Sequence, residues 1–212
     1  VKNLMWNKVE EFEKLIAEFA GSKYAIATDS CTNAIFISAL WNKKTKPFDI
    51  YNNIAEVPKQ TYVSVPQALR QAGYRLKFKD IKWKGYYPIE PLNIVDGACR
   101  FTRDMYFPGS YHCLSFHHRK TISTVRGGMI LTDDKDFVKW ARPMIYMGRN
   151  KDVKYVDDEL MADGYNMYMT PETAELGLFK FDMFMRGEQK VEDIDIADSN
   201  HYKDISILNW ND

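Results

Sequence analysis

The chain reads as an α/β fold, a mostly parallel sheet flanked by helices, and three observations point there. Short continuous apolar runs suited to buried strands alternate with stretches whose apolar residues recur at helical spacing. Glycines stand where those helices would end, at Gly21 and Gly73. With 212 residues, 45% of them hydrophobic, the chain can also bury a substantial core.

Taken in order, Trp6, Val9, Phe12, Leu15, Ile16 and Phe19 form one face of an amphipathic helix. Tyr24 to Thr28 is apolar enough for a buried strand, and the polar run Asp29-Ser30-Cys31-Thr32-Asn33 leads into an apolar helix from Ala34 to Trp41. The alternation returns with a strand at Ile54 to Pro58, a helix at Val63 to Ala72 and a strand at Arg75 to Phe78. Leu92 to Val95 runs into Asp96, and further strands are expected at Tyr111 to Phe116 and Met129 to Thr132. Asp134 to Met147 reads as a helix that Pro143 disturbs in its last turn. Thr170-Pro171 supplies a capping hydroxyl and a proline at the first helical position, predicting a helix from Pro171 to Met185. From Arg186 the chain turns acidic, with Glu188, Glu192, Asp193, Asp195 and Asp198. The expected organisation is one domain over residues 1–185 and a tail, 186–212, lying over it.

The 29 basic and 29 acidic side chains cancel, which argues against a nucleic-acid partner. No apolar run is long enough for a bilayer, and Val1-Lys2-Asn3-Leu4 lacks the apolar core of a signal peptide, so a cytoplasmic protein with no membrane partner is expected. Cys31, Cys99 and Cys113 fit neither a zinc site nor a disulfide framework; reduced thiols and no metal site are expected.

Parallel sheets place ligands at the carboxyl ends of their strands, which draws attention to Asp96 and to the loop before Ala34. Singly, each residue there has a plain alternative. A strand-end carboxylate is commonly a solvated or capping group, Lys120 could be surface charge, Thr32 could be an N-cap and Tyr62 a core tyrosine. Their order changes the odds: a hydroxyl-rich strand-to-helix loop, an aromatic turn, a strand-end aspartate, then Ser115 with Lys120 five residues later before a Gly-Gly strand entry.

That order resembles the large domain of the DegT/DnrJ/EryC1/StrS family of sugar aminotransferases. The matching stretches are Phe19-Ala20-Gly21-Ser22-Lys23-Tyr24-Ala25, Ser30 to Ala34, Val57-Pro58, Thr61-Tyr62-Val63-Ser64, Ala72-Gly73 and Asp80-Ile81. Asp96-Gly97-Ala98, Ser115-Phe116-His117, Lys120, Gly127-Gly128-Met129 and Gly164-Tyr165-Asn166 continue the series, collinear from about residue 6 to about residue 185.

The resemblance implies a fold-type I transferase of the aspartate aminotransferase kind, its small C-terminal domain largely absent, using pyridoxal 5'-phosphate. It implies transfer of an amino group from an amino acid donor, glutamate or glutamine, to a nucleotide-linked keto sugar in polysaccharide biosynthesis. Lys120 would carry the cofactor as an internal Schiff base and shuttle the proton, and Asp96 would pair with the pyridine nitrogen. Thr32, Asn33 and Ser115 would hold the phosphate at a helix start. Tyr62 would stack on one face of the ring and Ala98 pack on the other, while Asn166 would reach the phosphate of a partner subunit, implying a homodimer. Departures stand beside these matches. Cys99 occupies the place of a His or Gln that bonds the phenolic oxygen, Val125-Arg126 replaces Gly-Glu, Met147 replaces a histidine and Tyr168 an arginine. They keep open a homologue that binds the cofactor or a sugar nucleotide without turnover, or a cofactor-dependent dehydratase.

Overall fold

The computed structural model describes residues 6–46, 53–161, 163–188 and 197–210. Helix α1 (Asn7–Ala20) turns through Gly21, at φ +83°, into β1 (Tyr24–Thr28). Helix α2 (Cys31–Thr45) follows, starting three residues before the apolar run because Ser30 caps it, its Oγ accepting from Asn33 N at 3.2 Å. Then come β2 (Ile54–Pro58), α3 (Ser64–Gln71) and β3 (Arg75–Lys79). Three strands follow, β4 (Tyr87–Ile89), β5 (Ile94–Asp96) and β6 (Tyr111–Ser115), and the sheet is completed by β7 (Gly128–Thr132). Helices α4 (Lys135–Ile145) and α5 (Pro171–Met185) are capped by the side chains of Asp134 and Thr170. Pro143 is held inside α4, which ends two residues before the Met147 that the sequence pattern reached.

The main sheet is mixed, in the order β1-β7-β6-β5-β4, and β2 pairs with β3 beside it. The parallel pairing expected from strand–helix alternation holds for β5 with β6 and for β2 with β3. The remaining pairings, β1–β7, β6–β7 and β4–β5, are antiparallel. Their connections explain the difference: β4 and β5 are separated only by residues 90–93, too few for a crossover, so they form a hairpin.

Side chains alternate across the sheet into two cores. Ile26, Ile94, Cys113 and Ile130 pack with α2, α3 and α4 on one face. Ala25, Ala27, Leu114, Met129 and Leu131 pack with α1 and α5 on the other. Burial of both faces is why the strands read as continuous apolar runs. Among the described residues no helix is long and apolar enough to cross a membrane.

Residues 197–210 lie against the β2–β4 region. Gly85 N donates to Ala197 O, Ser199 N to Trp83 O, and Ile205 N to Lys59 O, each at 2.9–3.0 Å. Of the acidic run expected in a tail, Glu192, Asp193 and Asp195 lie outside the described residues. Asp198 caps a short 3-10 turn, Ser199–His201.

Two positions carry testable stability consequences. A Cβ on Gly128 would fall 2.3–2.5 Å from the carbonyl of Ser30 and the nitrogen of Cys31, so the start of β7 and the start of α2 meet only because this residue has no side chain. Gly128→Ala is expected to destabilise the fold by about 1–3 kcal/mol, read from denaturant midpoints, because backbone rather than a movable side chain must yield.

His112 is fully buried beside the ring of Phe107, and among the described residues neither ring nitrogen has a hydrogen-bond partner. Burial, aided by Arg100, pulls its pKa from 6.5 down to about 3. The unfolded chain therefore takes up this proton first, and the stability given by the neutral ring is lost as pH falls from about 6.5 toward 3. His112→Leu is expected to flatten the acid side of a stability–pH curve in that window, by about 1.4 kcal/mol per pH unit.

Candidate active site

One end of the main sheet gathers the chemistry. There β1 runs out at Thr28 into the start of α2, β5 ends at Asp96 and β6 ends at Ser115, while the antiparallel strands β7 and β4 begin at Gly128 and Tyr87. Thr28 and Ser115 both pair with Gly128, and Asp96 pairs with Tyr87 on one side and Cys113 on the other.

Asp96 is 6% exposed. The Tyr87 hydroxyl donates to its Oδ2 at 2.6 Å and the Ala98 backbone N–H to its Oδ1 at 3.0 Å. Burial pushes the carboxyl above the usual range, opposed by those two donors and by the Lys120 cation.

Lys120 sits on the loop between β6 and β7. Phe116 N donates to Gly127 O and Thr124 N to Phe116 O, each at 2.9 Å, which closes the loop on itself. Phe116, fully buried against Phe12 of α1, anchors it. The half-buried Lys120 Nζ donates to Cys99 Sγ at 3.4 Å, and no carboxylate lies within ion-pair distance of it among the described residues. Cys99 Sγ is also 3.3 Å from the Tyr202 hydroxyl. Burial raises the Cys99 thiol, with Lys120 and Tyr202 pulling the other way. Cys31, the first residue of α2, is within electrostatic reach of Asp96, Lys120, Cys99 and Cys113. An amine, a buried carboxylate and the N–H-rich start of a helix thus share one neighbourhood.

Thr32, Asn33, Ser115, Tyr62 and Asn166, also singled out from the sequence, make no hydrogen bond to Asp96 or Lys120 among the described residues. Thr32 Oγ1 is 2.7 Å from Ser64 Oγ, tying the starts of α2 and α3 together. The side-chain amide of Asn33 donates to Asp29 Oδ1 at 2.6 Å, and Arg126 Nη2 donates to Asp29 Oδ2 at 2.8 Å. Arg126 therefore ties the β6–β7 loop to the loop before α2. Ser115 Oγ accepts from His117 N at 3.4 Å. Tyr62, 62% exposed, projects from the segment between β2 and α3. Asn166 is exposed, on an extended stretch whose Met167 O accepts from Asp29 N at 2.8 Å.

Three residues near this centre were not singled out for it by sequence reasoning. Tyr87 lies on β4, whose three residues give no periodic signal. Thr61 was noted only as part of a matching stretch, and its hydroxyl bonds that of Tyr87. Tyr202 comes from the far end of the chain and packs on Trp83 with ring centroids 5.4 Å apart.

A layered α/β domain that sets a lysine and a buried aspartate beside a helix start has the architecture of the fold-type I transferase large domain. The chain belongs to the DegT/DnrJ/EryC1/StrS aminotransferase family, whose model matches residues 3–96 and 107–195. Ala98 and Cys99 lie between the two matched stretches. The spore coat polysaccharide biosynthesis protein SpsC of Bacillus subtilis (strain 168) is 26% identical over 235 aligned residues, covering 86% of this chain and 59% of that protein. Among solved structures, Helicobacter pylori PseC, an aminotransferase involved in the biosynthesis of pseudoaminic acid, superposes with a TM-score of 0.64 at 18% identity, over 83% of this chain and 57% of PseC. DesI, solved in the presence of its TDP-sugar product, gives 0.59 at 22% identity, over 85% and 54%. The chain thus spans rather more than half the length of these relatives.

Proposed function

We propose that the protein is a pyridoxal 5'-phosphate-dependent aminotransferase that moves an amino group from glutamate or glutamine to a nucleotide-linked keto sugar. The observation that carries this reading is the placement of the Lys120 amine and the buried Asp96 carboxylate in one neighbourhood with the start of α2. The donor set fits the cofactor: an amine for its aldehyde, a carboxylate for its ring nitrogen, and backbone N–H groups with hydroxyls at a helix start for its phosphate.

In this reading Lys120 Nζ holds the cofactor and, once released by the amino donor, moves the proton at the reacting carbon. Asp96 keeps the ring nitrogen protonated. The start of α2, with Thr32 and Asn33, and Ser115 at the end of β6 would receive the phosphate. Tyr62 and Ala98 flank the ring. Bound there, pyridoxal phosphate supplies the aldehyde that takes up the amino group and the ring that draws electrons from the substrate carbon. Asn166, exposed on its extended stretch, is read as the residue that completes a partner's phosphate site in a homodimer. Exposed Tyr155, Val156, Leu160 and Met161 nearby in sequence offer apolar surface for that contact.

The test is spectroscopic. Protein mixed with pyridoxal phosphate is expected to develop an absorbance band near the visible edge. L-glutamate or L-glutamine should consume the band, and a nucleotide-linked keto sugar should restore it. A band that forms and survives every amino donor would mark a binding homologue without turnover. No band at saturating cofactor would contradict the reading outright.

A further inference from the structure

Tyr87 and Asp96 face each other across the β4–β5 hairpin, so their side chains leave the sheet on the same face. A phenol has one proton, and Tyr87 gives it to Asp96 Oδ2. Thr61, whose hydroxyl also meets the Tyr87 oxygen, is therefore the donor in that second bond. The three side chains form a directed line, Thr61 to Tyr87 to Asp96, in which none is more than 6% exposed. Each bond polarises the next in such a line. The Tyr87 ring is wedged against Trp83, centroids 4.9 Å apart, and Trp83 is itself fixed by donating Nε1 to Gln60 O at 2.8 Å. With Ala98 N–H on its other oxygen, the Asp96 carboxylate is held at both ends, and each oxygen keeps a lone pair free for a further donor.

We propose that Tyr87, backed by Thr61, is a positioning residue that holds Asp96 ionised and aimed at the ring nitrogen of the cofactor. The proposal rests on the cofactor reading above for the identity of that ring, and on this chain's own hydrogen bonds for the rest. Of the titratable groups around Asp96, Lys120 supplies a cation, while Cys31, Cys99, Cys113 and Tyr202, all pushed up by burial, are neutral near pH 7. Among the described residues, Tyr87 and Ala98 oppose the desolvation of this carboxylate besides Lys120, and of these two Tyr87 does so through a side chain.

The experiment uses Tyr87→Phe and Thr61→Val in the full chain, with two readouts. In cofactor-free protein carrying carbon-labelled aspartate, with Asp96→Asn to assign the signal, the Asp96 titration is expected to move to higher pH in Tyr87→Phe and less far, in the same direction, in Thr61→Val. In equilibrium binding, Tyr87→Phe is expected to weaken pyridoxal phosphate about tenfold, the scale of one hydrogen bond to a charged group. It should leave unchanged the affinity for a carbocyclic analogue whose ring nitrogen is replaced by C–H. Equal weakening of both ligands, or an Asp96 titration unmoved by the substitution, would overturn the proposal. Should Tyr87→Phe fold poorly, Thr61→Val keeps the ring in place and carries the same comparison at smaller amplitude. Wild-type protein that binds no pyridoxal phosphate would overturn the cofactor reading and the ring-nitrogen half of the proposal, while the cofactor-free titration decides the carboxylate half by itself.

Discussion

Lys120→Ala is expected to abolish the near-visible absorbance band that the wild-type protein develops with pyridoxal phosphate, and to lower turnover by about 10⁶-fold, the scale for deleting the nucleophile of a covalent mechanism. The argument is local. Lys120 Nζ has one described hydrogen-bond partner, the Cys99 thiol, and the loop that carries it is closed by backbone bonds and anchored by Phe116. Among the described residues the amine makes no ion pair, so its removal should change stability by less than about 1 kcal/mol. Loss of the band with an unchanged melting temperature would tie the effect to chemistry rather than to folding. Persistence of the band in the variant would mean that another amine holds the cofactor.

Asp96→Asn is expected to retain the fold and the cofactor band while cutting turnover by about 10²–10³-fold, the scale for losing one preorganised electrostatic partner of a developing charge. Space is conserved, and the amide can still accept from Ala98 N–H through its oxygen and donate to Tyr87 through its nitrogen. The charge is gone, and with it the partner that keeps a ring nitrogen protonated. A pH signature accompanies the change. Burial raises the Asp96 pKa above its unfolded value. Its contribution to stability is then complete below the unfolded pKa and is lost as pH rises through the folded one. Asp96→Asn should lack that loss, so its stability relative to wild type rises as pH climbs above the ordinary carboxylate value of 3.8, measured by denaturant unfolding as a function of pH. Loss of activity without this relative gain would place Asp96 elsewhere than in a desolvated site.

What the sequence made legible, and what it did not, follows the range of the interactions involved. Helix α5 could be read from Thr170-Pro171, and α1 from the spacing of Val9, Phe12 and Ile16, because caps and periodicity are local. Strands β1, β6 and β7 were visible as apolar runs because both of their faces are buried. Strand β4 was not: Tyr87 and Ile89 are buried with Pro88 exposed between them, a pattern too short to stand out, and its existence depends on pairing with β5. Strand direction was equally hidden, since the alternation of strands and helices carries no record of which loops reverse the chain.

The candidate site divides along the same line. Asp96 and Lys120 could be named because their stretches, Asp96-Gly97-Ala98 and Ser115 to Lys120, fall in the collinear series that resembles the family's large domain. Tyr202 could not be placed there, since only the packing of residues 197–210 over β2–β4 brings its hydroxyl to Cys99, 103 positions away. Asn33 lay at the expected helix start, yet its amide is engaged by Asp29, a contact that depends on the loop's backbone rather than on its composition. Gly128 shows the reverse case. The Gly-Gly pair was noted as a motif, and its physical cause, the α2 start pressed against β7, emerges only in three dimensions.

The most direct measurement traps the proposed covalent link. Protein incubated with pyridoxal phosphate, reduced with borohydride and digested should carry the pyridoxyl group on the peptide containing Lys120, and Lys120→Ala treated in parallel should carry none. Label spread over surface lysines, or centred on any lysine other than Lys120, would contradict the account.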